Sequence, residues 1–407
     1  MKILKLSSYC YPEQVSSSHL TRDLNEAYEK AGIVCEIHTP TPTRGIDEET
    51  RKKYKKIKYE ELNNGHIQIH RFGMFKEPKN SLLRAFRYTL CIIINFFNGL
   101  GAKDIDVYYA SSTPPINGLI MALLKKFKKF KIVYNLQDIF PDSLVNTGMT
   151  KKGSLIWKIG AWVERVTYKA ADKIIVISNS MKQNILNKGV PEEKIEVISN
   201  WIDADAVKPV PREDNKLFEE YNIPKDKFIV VYAGNMGAAQ GTEVILDTAE
   251  KLKDNTDIQF VVFGGGSGFE TVKKKVEEKN LSNVIINSLL PQDRVPEVYS
   301  LGDVAIITCK KGSGTSAMPS KTWSIMACDT PIVASFDTDS ELSAILKEAN
   351  AGVAVEPGDA DELCKEILAI SSNPDTKYDG GRKYVLENAS KDVCTGKYIE
   401  VLKECFK

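Results

Sequence analysis

Paired cysteines are missing. Eight cysteines are scattered through 407 residues with no C-x-x-C pair and no ligand-like spacing, which excludes a disulfide scaffold or a zinc site and reads as small core residues in a reducing cytosol. Neither sign of charge is in excess: 55 basic residues against 54 acidic ones leave +1, so nothing global proposes nucleic acid as a partner. Histidine is scarce, and His38, His66 and His70 show no metal spacing and read as structural. The strongest apolar run, residues 81–100, is interrupted by Arg84, Arg87 and Asn95. It falls short of the roughly twenty mainly apolar residues that span a bilayer. Met1 leads directly into a strand-like KILKL, so no secretory leader is expected. Two nucleotide fingerprints are also absent. No G-x-G-x-x-G follows a first strand, and no Walker A motif occurs, which argues against a dinucleotide dehydrogenase and a P-loop enzyme.

What is present is a chain too long for one ordinary core, 43% hydrophobic and 27% charged, as expected of a globular protein of about two domains. Short β-branched runs alternate with helical patterns, the rhythm of a parallel sheet covered on both faces. Strands are expected at residues 3–6, 34–38, 67–72, 107–110, 132–136, 174–177 and 195–198, then again at 229–233, 259–263, 284–286, 304–308, 332–334 and 352–355. This predicts two doubly wound α/β domains, 1–203 and 204–391, joined near the polar, proline-containing SNWIDADAVKPVPRED. A last helix, 392–407, is free to pack back on the first domain.

Ligands of open α/β sheets bind beyond the strand carboxyl ends. Three loops there stand out in the second half: GNMGAAQGTE with Gly234 and Gly237, GGGSG with Gly264 and Gly265, and KKGSGTSAMPSK ending in Lys321. Glycines permit close backbone approach, and a lysine in the first turn of a helix is unfavourable unless an anion offsets it. Together they predict a site for a phosphorylated ligand, although GGGSG is also an ordinary flexible turn.

Two Rossmann-like halves, the GN-x-G-x-x-QG turn, the GGG loop, DRVPEVYSLGDVAII and PSK followed by C-D-T-PIVA resemble glycosyltransferase family 4, the retaining enzymes of GT-B fold, and within it the WbuB/WcaI-like branch of bacterial surface-polysaccharide enzymes. KAADKIIVISNSMKQNILNKGVPEEKIEVISNWID resembles the stretch that closes that family's N-terminal domain. The resemblance implies a GT-B architecture with two domains facing a central cleft. It implies a donor site built from Gly234, Asn235, Gly237, Gln240, Gly264, Gly265, Ser316, Pro319, Ser320 and Ser324, with Lys321 on the diphosphate. It also implies departures. The family's two glutamates fall on Ser316 and Ser324, and its usual arginine and lysine fall near Asn235 and Gln240, so diphosphate charge rests mainly on Lys321.

Where many relatives carry a histidine near the scissile bond, this chain has Gln137 beside Asp138. Asp138 ends an apolar strand and can orient or deprotonate an acceptor hydroxyl; a helix or turn cap is the alternative. Glu13 and the run Ser16-Ser17-Ser18-His19 follow the first strand and can bind acceptor phosphate or sugar, or cap a helix. Asp203-Ala204-Asp205 has the spelling of a metal motif but lies in the connection and reads as structural, so no metal or other cofactor is expected.

The expected reaction is transfer of a sugar from a nucleotide diphosphate sugar, UDP-linked, to a hydroxyl of a glycan or polyprenyl-diphosphate-linked acceptor, as in capsule or O-antigen synthesis. A catalytically weak nucleotide-sugar-binding subunit and a GT-B epimerase are the alternatives. LLKKFKKFK sets Lys125, Lys126, Lys128 and Lys129 around Phe127 and Phe130 near the 81–100 run. That composition suits an anionic membrane surface, hence an expected location on the inner face of the cell membrane; a solvated turn beside a buried helix is the alternative.

Overall fold

Parallel strands cannot be joined by hairpins, so each apolar run must be followed by a helix that carries the chain back. In the computed structural model this happens twice; it describes residues 1–13, 18–78, 80–146, 149–237, 239–314, 318–373 and 378–407. The first sheet contains β1 (Lys2–Leu6), β2 (Val34–Pro40), β3 (Tyr59–Leu62), β4 (Ile67–Phe72), β5 (Val107–Ser111), β6 (Lys131–Leu136), β7 (Lys173–Val176) and β8 (Ile195–Val197). Their spatial order is β3-β4-β2-β1-β5-β6-β7-β8. All pairs are parallel except β3 on β4, where Tyr59 lies opposite His70. The sequence pattern does not reveal β3, because YEEL is an edge strand with no fully buried residue.

The second sheet contains β9 (Phe228–Asn235), β10 (Ile258–Gly265), β11 (Val284–Ser288), β12 (Val304–Thr308), β13 (Ile332–Ser335) and β14 (Gly352–Val355). It is wholly parallel, in the order β11-β10-β9-β12-β13-β14. Alternate residues of β9 feed opposite cores: Val231 and Ala233 pack with Val261, Ile325 and Met326, while Val230 and Tyr232 pack with Phe260, Val262 and Leu363.

The chain forms two compact units, one of Met1–Ser199 with Cys394–Lys407 and one of Asn200–Val393. The last helix, Lys391–Phe406, joins the first unit through Tyr398. That side chain is buried; its hydroxyl donates to Asn135 Oδ1 at 3.1 Å and its ring lies 6.4 Å from that of Tyr109.

Three helices lie side by side against the first sheet, with Asn117–Leu124 packed between Ser81–Gly101 and Leu155–Ala170. Two helical glycines permit this. A Cβ on Gly118 would sit 2.1 Å from Thr167 Oγ1, and one on Gly99 would sit 2.6 Å from Leu124 Cδ1. Thr167 is held in place because its hydroxyl donates to the Val163 carbonyl at 2.8 Å. Gly118→Ala should therefore destabilise the protein by about 1–3 kcal/mol through overpacking, against the gain that alanine brings to an exposed helix site. Urea unfolding midpoints would show it, and an equal or higher midpoint would contradict the packing argument.

Candidate functional site

In the second sheet the chain moves outward in opposite directions from β9 and β12, which makes their adjacent carboxyl ends a topological switch point. Gly234 and Asn235 end β9, Gly264 and Gly265 end β10, and the two pairs are in register. The loops beyond are interlocked. Met236 N–H donates to the Gly265 carbonyl at 2.7 Å, Gly268 N–H to the Met236 carbonyl at 2.9 Å, and Lys310 N–H to the Ala239 carbonyl at 3.0 Å. A side chain at several of these crossings would displace its neighbours, and at Gly268 it would meet the Met236 backbone carbonyl. A Cβ on Gly266 would meet Asn235 Oδ1 at 1.8 Å, and one on Gly237 would meet Gln240 Oε1 at 2.9 Å.

Lys321 opens the seven-residue helix Lys321–Ala327 that follows β12. Its ammonium lies 4.2 Å from the centroid of the Tyr232 ring, a cation–π contact. Gly234 makes room for it: a Cβ there would stand 2.5 Å from Nζ. Among the described residues no carboxylate pairs with Lys321, and burial pulls its pKa down from 10.5 to about 8. Tyr232 in turn donates its hydroxyl to the Asn235 carbonyl at 3.0 Å, fixing the ring beneath the ammonium. The Thr322 N–H bonds to the Pro319 carbonyl at 3.0 Å, so the helix start itself spends one donor internally and the lysine carries the charge. Ser324 stands one turn along the same helix, at the i+3 position. Pro319 and Ser320 lead into that helix, and Ser316 lies outside the described residues.

Asp337, just beyond β13, completes the arrangement and was not anticipated. It is buried, and its two oxygens accept from Gly312 N–H at 2.8 Å and Gly314 N–H at 2.7 Å, tying down the loop after β12. An aspartate following an apolar strand (IVASFD) was the available signal.

Residues 213–391 match the family described as Glycosyl transferases group 1, and residues 18–206 match Glycosyltransferase Family 4. The protein named probable glycosyltransferase WbjE of Pseudomonas aeruginosa is 31% identical over 277 residues, 66% of this chain and 68% of its own length. WcaI of Escherichia coli K12, named for colanic acid biosynthesis glycosyl transfer, is 28% identical over 251 residues, 61% of each chain. The chain belongs to glycosyltransferase family 4. In fold it is similar to the sucrose-phosphate synthase of Thermosynechococcus elongatus (TM-score 0.75, 17% identity, 100% of this chain and 99% of that one). It is also similar to HepE of Anabaena in complex with UDP (TM-score 0.73, 15% identity, 99% and 100%). Its two parallel-sheet units are those of the GT-B fold.

In the first unit of this glycosyltransferase, Asp138 is exposed just past the carboxyl end of β6. Its neighbour Gln137 is held down, its N–H donating to Ser112 Oγ at 3.0 Å and its Nε2 to Asn135 Oδ1 at 2.9 Å. Glu13 departs from the acceptor-ligand expectation. It is buried and accepts from the N–H groups of Cys10, Thr43 and Arg44 at 3.1, 2.7 and 2.9 Å, so its carboxylate staples two loops instead of facing a ligand. Burial pushes its pKa up and those amides oppose the rise. Ser18 and His19 begin the helix Ser18–Lys30, with Ser18 Oγ donating to the Glu13 carbonyl at 3.3 Å; Ser16 and Ser17 lie outside the described residues. Asp203 accepts from the Asp205 and Ala206 N–H groups at 3.1 Å each, a local turn. Among the described residues no three histidine, cysteine or acidic side chains gather as a metal set.

The Lys321 pKa gives a stability prediction with a definite sign. Below pH 8 both folded and unfolded chains carry the charge and the folded state bears its desolvation. Between about 8 and 10.5 the unfolded chain holds more protons, so this penalty fades as pH rises. Ligand-free Lys321→Met should melt at or above the wild-type temperature at pH 7, with its advantage narrowing towards pH 10.5. Inorganic diphosphate should raise the wild-type melting temperature and leave the variant's unchanged. A variant that melts well below wild type at pH 7 would make Lys321 a structural residue.

Proposed function

We propose that this glycosyltransferase moves a sugar from a UDP-linked donor to a hydroxyl of a glycan or polyprenyl-diphosphate-linked acceptor in bacterial surface-polysaccharide assembly, with retention at the anomeric carbon and without a metal. The observation that carries the reading is the ammonium of Lys321, desolvated over Tyr232 and with no carboxylate partner among the described residues, at the switch point of a glycine-walled sheet end. Such a group favours a bound diphosphate, and favours it more as the bond from the anomeric carbon to the diphosphate oxygen breaks and charge develops there. The acceptor oxygen forms the new bond to that carbon, and its proton leaves to a base. Asp138, exposed at a strand carboxyl end, is the group assigned to orient that hydroxyl. The relative named for colanic acid biosynthesis and the neighbour bound to UDP support the substrate class.

Lys321→Ala should weaken UDP binding by roughly 1.5–3 kcal/mol while the protein stays folded. Wild-type affinity should fall as pH rises past about 8, because a bound diphosphate favours the protonated lysine and binding then takes up a proton. Calorimetry across pH 7–9 tests both, and a flat profile with unchanged affinity in the variant would remove Lys321 from the donor site.

Asp138→Asn should leave UDP affinity intact and lower transfer by about 10²–10⁴. Normal turnover would return Asp138 to a capping role. NMR of the glycoside formed, with EDTA present, reads anomeric configuration and metal dependence together; an inverted product or abolished turnover would each overturn that part. Turnover of the donor sugar without any acceptor would instead favour an epimerase, and binding without turnover a partner subunit.

A further inference from the structure

The helix Ser81–Gly101 is inside out. Arg87, Cys91 and Asn95, spaced i, i+4, i+8, are buried, with Arg87 Nε donating to the Phe75 carbonyl at 3.1 Å, while Leu82, Leu83 and Phe86 are exposed. The helix Leu155–Ala170 repeats the feature. Gly160, Val163 and Thr167 face inward, whereas Leu155, Ile159 and Trp162, at i, i+4, i+7, are more than half exposed at 74, 55 and 52%. Beside that stripe run Lys158, Arg165 and Lys169, and before it Lys151 and Lys152, all exposed. The one carboxylate between residues 149 and 170, Glu164, is turned inward and bound to Lys188 at 2.7 Å. An apolar stripe with cations alongside and no exposed carboxylate is the surface of an interfacial helix on an anionic bilayer.

Topology fixes where this surface lies. Each of these two helices lies between one parallel strand and the next and runs back antiparallel to them, so Leu82, Leu83 and Phe86, and likewise Leu155 and Ile159, sit in the first turns, towards the edge of the first sheet where the strands end, with Trp162 at mid-helix on the same stripe. Asp138 is on that edge. The LLKKFKKFK segment is on the other, because it leads into the beginning of β6. Lys125 there is spent on Asp172 at 2.8 Å and Lys128 on the Ala102 carbonyl at 2.8 Å. The 21-residue helix separates the two edges by about 30 Å.

We propose that the first unit docks on an anionic lipid bilayer through the starts of these two helices, with the bilayer meeting the strand carboxyl ends beside Asp138 and not the lysine-rich turn. The docking rests on the reading of a membrane-held acceptor for its purpose but not for its test. Wild-type protein should sediment with vesicles of equal parts phosphatidylglycerol and phosphatidylcholine, and about tenfold less with phosphatidylcholine alone. Ile159→Ser with Trp162→Ser, and separately Lys151→Ser with Lys152→Ser, should each reduce the bound fraction about tenfold at an unchanged unfolding midpoint. Lys126→Ser with Lys129→Ser should change nothing. The proposal is overturned if wild type does not sediment, if the far-edge pair is the one that matters, or if the helix-start variants lose only self-association in analytical ultracentrifugation, which would make a second copy the occupant. Transfer to a short-chain, water-soluble acceptor should be equal in all variants; vesicle binding without any transfer would leave docking standing and overturn the functional reading instead.

Discussion

A parallel strand pair cannot be closed by a tight turn, and that constraint organises everything else in this protein. Apart from β3, which turns straight back onto β4, the strands of each sheet are parallel and need a return segment between them, so the loops after these strands fall on one edge of the sheet and the loops before them on the other. The glycine loops after β9 and β10, the loop after β12 and Asp337 after β13 therefore converge without any one of them being long. The same rule puts helix starts on the edge that carries Asp138, and so brings the exposed leucines and Ile159 towards that edge of the first sheet.

Glycine and charge are coupled at the carboxyl end of the second sheet. A side chain at Gly234 would occupy the place of the Lys321 ammonium, and one at Gly266 the place of Asn235. These positions cost backbone entropy and leave a cation poorly solvated, neither of which stabilises a fold. A set of choices that weakens stability in one place and converges on one point is the pattern of a binding site kept for its ligand.

Most of the strand pattern was legible because buried parallel strands are continuous apolar runs. β3 was not, since an edge strand needs no apolar face, and YEEL supplies none. The short helix that Lys321 opens was legible, while the contacts of Tyr232 and Asp337 were hidden because they depend on which strand ends lie side by side. Glu13 was misread for a similar reason: the amides it binds belong to Thr43 and Arg44, thirty residues on, and no local pattern announces them. The 81–100 run shows the limit of periodicity most plainly. Arg87 and Asn95 look like interruptions of an apolar helix, yet they mark its inward side. A hydrophobic stripe reveals that a helix has two faces; it does not say which face meets the sheet.

The serine at position 324, where the resemblance to the family implies a glutamate, has an electrostatic consequence that follows from helix geometry. Ser324 occupies the position three residues after Lys321, where side chains on one face meet. A glutamate there would stand within reach of the ammonium, supply the missing counter-charge and hold the lysine protonated well above pH 8. With serine in its place that turn offers no charge to offset the desolvation of Lys321, and burial pulls its pKa down. On the proposed function, a serine at this position and a lysine left for a diphosphate to neutralise are one change seen from two sides.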